Sequence, residues 1–141
     1  MARNDLPQDH GLSKAGEDYL EAIYRLSREG NQDGASVRSV DVANQLGVSK
    51  ASVSKTLSVL RSAGMIEQMR YGRVTLTDEG ERYARRVWRS HRALRAFLVG
   101  ELGVQEEVAD EEACLMEHYH SHDTIDRWCG YLERQGIAIE E

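Results

Sequence analysis

Apolar positions recur with a helical period over most of the chain. In "SKAGEDYLEAIYRLSR", residues 13–28, Leu20, Ile23 and Tyr24 fall on one face, which predicts an amphipathic helix. Asp18 and Glu21 share a different face of that helix. The following "EGNQDGAS" is rich in Gly and polar turn formers and reads as a loop. Ser39 is placed to cap a short helix carrying Val42, Ala43 and Leu46, and Gly47 to end it. Ser49 is placed to cap a second helix with Val53, Leu57 and Leu60 inward and Gly64 just past its end. Two short helices joined by a tight Gly-containing turn make the helix-turn-helix pattern. The strand-like runs "MIEQMR" and "RVTLT" around Tyr71-Gly72 then predict a hairpin, the wing of a winged helix.

Past the hairpin, Thr77 is placed to cap a long helix from about Asp78 to Val99, anchored by Tyr83, Val87, Leu94 and Leu98. Trp88 and Phe97 add large apolar surface near the same stretch. "GELGVQEE" interrupts the pattern, a further helix covers about Glu107–His120, and Asp123 reads as the cap of a last helix, "TIDRWCGYLERQG". The expected fold is mainly α: an N-terminal winged helix-turn-helix over residues 1–77, then an all-helical dimerisation domain over 78–141. Helix-turn-helix readers commonly work as two-fold dimers on paired half-sites, and the apolar helical second half is the natural interface.

Charge sharpens this picture. The net charge of −6 argues against nucleic acid until its distribution is considered. Residues 36–90 hold ten Lys/Arg against five Asp/Glu, whereas the remainder holds eight against nineteen. A basic middle inside an acidic chain points to a DNA-binding module joined to something else. Ser49 at the start of the second helix, and Lys50, Ser52, Ser54 and Lys55 on its outward side, suit phosphate contact and major-groove approach. Arg70, Tyr71 and Arg73 at the wing tip can reach the neighbouring backbone or minor groove. Singly, each is an ordinary solvated surface residue. The ordered succession of helix, turn, helix and hairpin is what makes the signal specific.

Composition adds limits. No apolar run approaches the roughly 20 residues that span a bilayer, and "MARNDLPQDHG" has no apolar signal stretch. Two cysteines, Cys114 and Cys129, make no disulfide framework, so a reducing cytoplasm is the expected setting. Cys129, beside Trp128, reads as a small buried hydrophobe, and His10 as part of a disordered tail.

The acidic run "EEACLMEHYHSHD", residues 111–123, carries the chemistry. On a continuous helix Cys114, Glu117 and His118 stand at i, i+3 and i+4 and project from one face. Thiolate, carboxylate and imidazole together suit a borderline transition metal. Three ligands do not complete a sphere, so others must come from elsewhere. The Asp18 and Glu21 carboxylates can serve, although alone they read as a solvated face. His120 and His122 fall off the Cys114–His118 face and are expected to be exposed or to support ligands from outside. The rival readings are a metalloenzyme, weakened by the lack of H-E-x-x-H, and a winged-helix regulator answering to an organic effector, which would not need such a ligand set.

With "EDYLEAIY", "LGVSKASVSKTLSVLRSAGMI", "LTDEG", "SHRALRAFL" and "DEEACLMEH", the chain resembles the metal-dependent transcriptional repressors related to the diphtheria toxin repressor and the manganese transport regulator. The resemblance runs from about Glu17 to Arg134. It implies a homodimer that represses from operator DNA when a divalent metal is bound. It places the metal ligands on Asp18, Glu21, His91, Cys114, Glu117 and His118; His91 rests on the resemblance alone. At Asp18 the iron branch typically has Met and the manganese branch Asp. At Cys114 the iron branch has Cys and the manganese branch typically Glu. The hard carboxylate favours Mn²⁺ and the soft sulfur Fe²⁺, Co²⁺ or Zn²⁺. Arg95 stands where the iron branch has a carboxylate of a secondary site, of which Asp110 matches another part. Larger iron-branch members add a small barrel domain, and the expectation here is the two-domain manganese type.

Overall fold

The computed structural model describes residues 12–29 and 36–139. They form two compact units, Leu12–Arg86 and the described residues from Val87 onward. His10 and residues 30–35 of the expected loop lie outside the described residues.

The first unit opens with α1 (Lys14–Glu29), where Ser13 Oγ accepts the Gly16 N–H at 3.0 Å. The apolar period buries Leu20, Ile23 and Tyr24, and α1 packs on both α2 (Ser39–Leu46) and α3 (Lys50–Ser62). Gly47 ends α2 in the left-handed region, φ 65°, donating its N–H back to the Ala43 carbonyl. Ser49 caps α3 by accepting the Ser52 N–H at 3.1 Å, and Val53, Leu57 and Leu60 turn inward, as the sequence predicts.

Entry to α2 differs from the expectation. Arg38, not Ser39, holds the cap position, with no side-chain cap bond. The reason is a strand too short for periodicity to show: Val37–Arg38 form β1, paired antiparallel with β3 (Arg73–Leu76). The chain passes from this ladder straight into the helix, so Ser39 is already helical. The Arg38 guanidinium reaches forward to Asp41 at 3.0 and 3.1 Å. The sheet order is β1-β3-β2, with β2 spanning Ile66–Met69. Arg70–Gly72 turn the hairpin, with left-handed backbone at Tyr71 (φ 63°) and Gly72 (φ 68°).

Thr77 joins this hairpin to α4 (Asp78–Gly100). Its hydroxyl donates to the Gly64 carbonyl at 2.6 Å while accepting the Gly80 N–H at 3.0 Å, and its own N–H donates to the Met65 carbonyl at 3.0 Å. The first turn of α4 is thereby pinned against the α3–β2 corner. Gly80 lies so close to the Met65 carbonyl that a Cβ would overlap it. One turn on, buried Tyr83 donates its hydroxyl to the buried carboxylate of Glu17 on α1.

The second unit comprises the rest of α4, α5 (Glu106–Met116) and α6 (His122–Arg134). Its core gathers Ala93, Leu94, Ala113, Ile125, Cys129 and Leu132, flanked by Phe97 and Trp128 in an edge-to-face pair at 5.0 Å. Cys129 is buried as expected, and burial pushes its thiol above the ordinary cysteine range. Two boundaries move. The α5 helix stops at Met116 instead of continuing to His120, because a Tyr119 N–H to Met116 carbonyl bond tightens the chain into a turn. Ser121, not Asp123, caps α6, accepting the Thr124 N–H at 3.1 Å. Asp123 instead sits in the first turn and pairs with Arg127 at 2.9 Å.

Gly80→Ala is expected to lower stability by about 2–3 kcal/mol, because the added methyl meets rigid backbone. Urea denaturation followed by circular dichroism measures this, and an unchanged midpoint would contradict the close approach.

Candidate functional site

In the first unit the exposed side of α3 and the wing hold every residue assigned to DNA. Ser49, Lys50, Ser52, Ser54, Lys55, Arg70, Tyr71 and Arg73 are all exposed. Lys50, Ser54 and Arg73 line a cleft of 470 Å³ together with Gln68, which sequence reasoning did not select. Gln68 is held there by Arg61, whose guanidinium donates to its side-chain oxygen at 2.7 Å. Not all eight are equally available. Ser49 Oγ is engaged by the Ser52 N–H and donates to the Ser52 hydroxyl at 3.1 Å, so it serves the helix first. Arg73 donates to Ser36 Oγ at 2.8 Å, which steadies it across the β1–β3 pair. Tyr71 is 93% exposed and left-handed, a conformation costing an L-residue roughly 1–2 kcal/mol. An aromatic ring presented to water on strained backbone contributes nothing to the core, so its use lies at the surface.

In the second unit α4 and α5 bring together His91, Cys114 and Glu117, whose ligand atoms lie within 4.8 Å of one another. His91 is 1% exposed and Glu117 4%, while Cys114 is half-buried. His91 Nδ1 is 2.9 Å from Glu117 Oε2 and 3.6 Å from Cys114 Sγ. Its Nε2 is 2.8 Å from Asp110 Oδ1. The early end of α5 changes how these residues are delivered. Glu117 is the helical cap, still in αR geometry, and keeps the face of Cys114. His118 lies beyond the helix, with Nε2 3.4 Å from Glu117 Oε1. Asp18 and Glu21 belong to α1 of the first unit. There Asp18 is half-buried and accepts from Lys14 Nζ at 2.9 Å, and Glu21 is buried. His120 is half-buried with Nδ1 at 3.0 Å from the Ser121 carbonyl, and His122 begins α6.

The donor set fits a divalent transition metal. A neutral imidazole has one N–H, yet both ring nitrogens of His91 face carboxylate oxygens, which only accept when ionised. One of the two contacts therefore needs a proton or a cation on it. The 2.9 Å and 3.6 Å separations around Nδ1 match the edges of a coordination shell with ligand bonds of about 2.0–2.3 Å. Sequence reasoning took Asp110 only as a remnant of another site. The signal for its role was present, since Asp110 and Cys114 are i, i+4 neighbours on α5.

Comparison with known proteins agrees with both units. The family model "Iron dependent repressor, N-terminal DNA binding domain" matches residues 11–74. "Iron dependent repressor, metal binding and dimerisation domain" matches residues 77–135. The chain is 36% identical over 124 residues to the transcriptional regulator MntR of Salmonella typhimurium, covering 88% of this chain and 76% of that protein. It is 33% identical over 107 residues to the iron-dependent repressor IdeR of Mycobacterium tuberculosis, covering 76% of this chain and 45% of that one. A solved manganese-dependent transcriptional repressor in complex with manganese superposes with a TM-score of 0.74 at 35% identity, covering 84% of this chain and 52% of that chain. The chain thus spans about half the length of that structure.

The two thiols should separate by accessibility. At about pH 7.5 iodoacetamide is expected to modify half-buried Cys114 and spare Cys129, whose raised, buried thiol holds little thiolate. Peptide mass spectrometry reads the sites, and faster modification of Cys129 would contradict the assignment.

Proposed function

The chain belongs to the iron-dependent repressor family of metal-dependent transcriptional regulators, and from that premise we propose that it is a cytoplasmic, homodimeric repressor that binds operator DNA when loaded with Mn²⁺ or Fe²⁺. The observation that carries this reading is the convergence of His91 Nδ1, Cys114 Sγ and a Glu117 oxygen within 4.8 Å. Among the described residues no helix is long and apolar enough to cross a membrane.

The proposed ligand set is Asp18, Glu21, His91, Cys114, Glu117 and His118. It mixes a hard carboxylate at Asp18 with a soft sulfur at Cys114, so Co²⁺ and Zn²⁺ are further occupants its chemistry accepts. A bound divalent ion supplies the positive charge that lets carboxylates, thiolate and imidazole lone pairs share one small volume. The residues then do the rest. His91, Cys114, Glu117 and His118 come from the second unit, and Asp18 and Glu21 from α1, which carries the reading helix α3 on its own core. Without the ion these anionic groups repel one another, and metal shifts the population toward the DNA-competent state. By linkage, operator DNA tightens metal binding by the same factor. On the DNA, Lys50 and Lys55 contact phosphate while Ser52 and Ser54 lie at the groove, with Arg70, Tyr71 and Arg73 of the wing beside it.

The dimer contact we assign to an apolar face on and just beyond α5. Val108, Leu115, Met116 and Tyr119 are all exposed there, Leu115 by 60% and Tyr119 by 63%. These residues belong to the stretch matched by the dimerisation domain. Leu115→Glu is expected to leave a folded monomer in sedimentation equilibrium, and a persistent dimer would move the interface elsewhere.

The central test is anaerobic titration of the reduced protein with Mn²⁺ and Fe²⁺, scored by fluorescence anisotropy on operator DNA. His118→Ala is expected to abolish the metal-dependent gain in binding. Lys55→Ala is expected to weaken DNA binding, lowering the salt slope by about 1, while leaving metal affinity intact. Metal-independent DNA binding by the wild type would sink the reading.

A further inference from the structure

The side of His91 turned away from Cys114 and Glu117 is also built. His91 and Arg95 are one turn apart on α4, and Glu106 and Asp110 are one turn apart on α5. These two steps meet in a small ionic lattice. Asp110 Oδ1 is 2.8 Å from His91 Nε2 and 3.6 Å from Arg95 Nε, and Arg95 Nη2 is 3.9 Å from Glu106 Oε2. The Trp88 indole stacks on the imidazole with centroids 5.0 Å apart and planes 8° from parallel. A cleft of 290 Å³, lined by Trp88, His91, Arg95, Glu106 and Asp110 among others, opens on this side. His91 is therefore fixed in rotation by a ring and addressed on each nitrogen by a different carboxylate.

We infer that Asp110 is a positioning residue for the metal centre: it takes the single N–H of His91 at Nε2, which leaves the Nδ1 lone pair bare toward Cys114 and Glu117. A metal ligand nitrogen must carry no proton, and a partner on the opposite nitrogen is the usual means of setting that tautomer. An ionised carboxylate accepts and cannot donate, so the Asp110 contact needs the proton on Nε2, and the equivalent demand of Glu117 at Nδ1 is the one a bound cation would meet. Asp110 has a side chain 58% exposed to water, and burial does not hold it against the ring. Arg95, whose side chain is 26% exposed, supplies that restraint by bridging Asp110 and Glu106. The guanidinium also stands on the Nε2 side of His91, where its fixed positive charge opposes entry of another cation. The centre thus has one face for the ion and one face for the support.

This inference rests on the reading that His91 ligates a metal, and its test separates the two. Metal affinity is measured without DNA, by competition of Mn²⁺ and Zn²⁺ against a fluorescent chelator, for the wild type and for His91→Ala, Asp110→Ala, Asp110→Asn and Arg95→Met. The histidine tautomer is read in the metal-free protein by ¹⁵N NMR at alkaline pH, where the ring is neutral. Wild-type His91 is expected to hold a larger share of the Nε2–H form than the Asp110→Ala variant does. Asp110→Ala is expected to move the proton toward Nδ1 and to weaken metal binding about 10–100-fold. Asp110→Asn is expected to recover part of both, since its carbonyl still accepts from Nε2–H, and Arg95→Met to lose less than Asp110→Ala. Because Asp110 is exposed, these variants should keep the wild-type circular dichroism. If His91→Ala loses affinity while Asp110→Ala keeps both wild-type affinity and tautomer, the positioning role is overturned and the metal reading stands. If His91→Ala binds metal as the wild type does, the metal reading itself falls, and this inference with it.

Discussion

A nearly inaccessible imidazole pressed between carboxylates sets the terms for the second unit. Placing a titratable ring at 1% exposure beside two acids and a thiol is costly unless each polar atom finds a partner. Protein atoms address both ring nitrogens, and the two carboxylate contacts together call for more than the one N–H of a neutral ring. The apolar cluster of Ala93, Leu94, Ala113, Ile125 and Leu132 fixes the spacing of α4, α5 and α6 that makes this possible. Ala93 and Ala113 are the small residues that let α4 and α5 approach, two positions after His91 and one before Cys114. Core packing and ligand geometry are therefore not separable in this unit. A change that spread the helices would cost the centre its 2.9 and 3.6 Å separations before it cost the fold.

The first unit follows a different economy. Its polar contacts are mostly local caps and corner bonds, and they serve to hold one helix face and one hairpin tip toward water. Thr77 contributes three of them, with its hydroxyl and N–H together binding Gly64, Met65 and Gly80. That junction delivers α4 to the hairpin, and the buried Tyr83–Glu17 bond ties the same helix to α1. Glu17 neighbours Asp18 and precedes Glu21 by one turn, so the bond sets the rotation of α1 on which both acids depend. Within this unit Lys50, Lys55 and Arg61 lie on α3 and Arg70 and Arg73 on the wing, so part of the basic balance of residues 36–90 is displayed there.

The proposed donor set bears on selectivity. If Asp18, Glu21, Glu117 and two imidazoles act together they resemble what a hard ion wants, and Cys114 is the single soft departure. Since affinity for borderline ions rises along the first-row series whatever the exact donors, discrimination must come from geometry and from metal supply. Geometry in turn is set by how firmly each ligand is held. Stacking on Trp88 and the Asp110–Arg95 pair restrict His91 more than sequence spacing alone suggests.

Hydrophobic period and capping chemistry were enough to read α1, α3, α4 and the wing hairpin from the sequence, because their signals are local. Leu20, Ile23 and Tyr24 form one stripe at helical spacing, and Ser49 stands where α3 needs its cap. The proposed donors Cys114, Glu117 and His118 were legible for the same reason, as neighbours within two turns. What was not legible depended on partners distant in sequence. The two-residue β1 exists because β3 is there to pair with, and that pairing displaced the α2 cap from Ser39 to Arg38. The end of α5 depended on a turn at Tyr119 and on Ser121 capping α6. His91 looked like any polar residue on a long helix, and Asp110 like any acid on an exposed face. Only the approach of α4 to α5, a consequence of packing small residues against one another, set that imidazole between Cys114 and Glu117 on one side and Asp110 on the other.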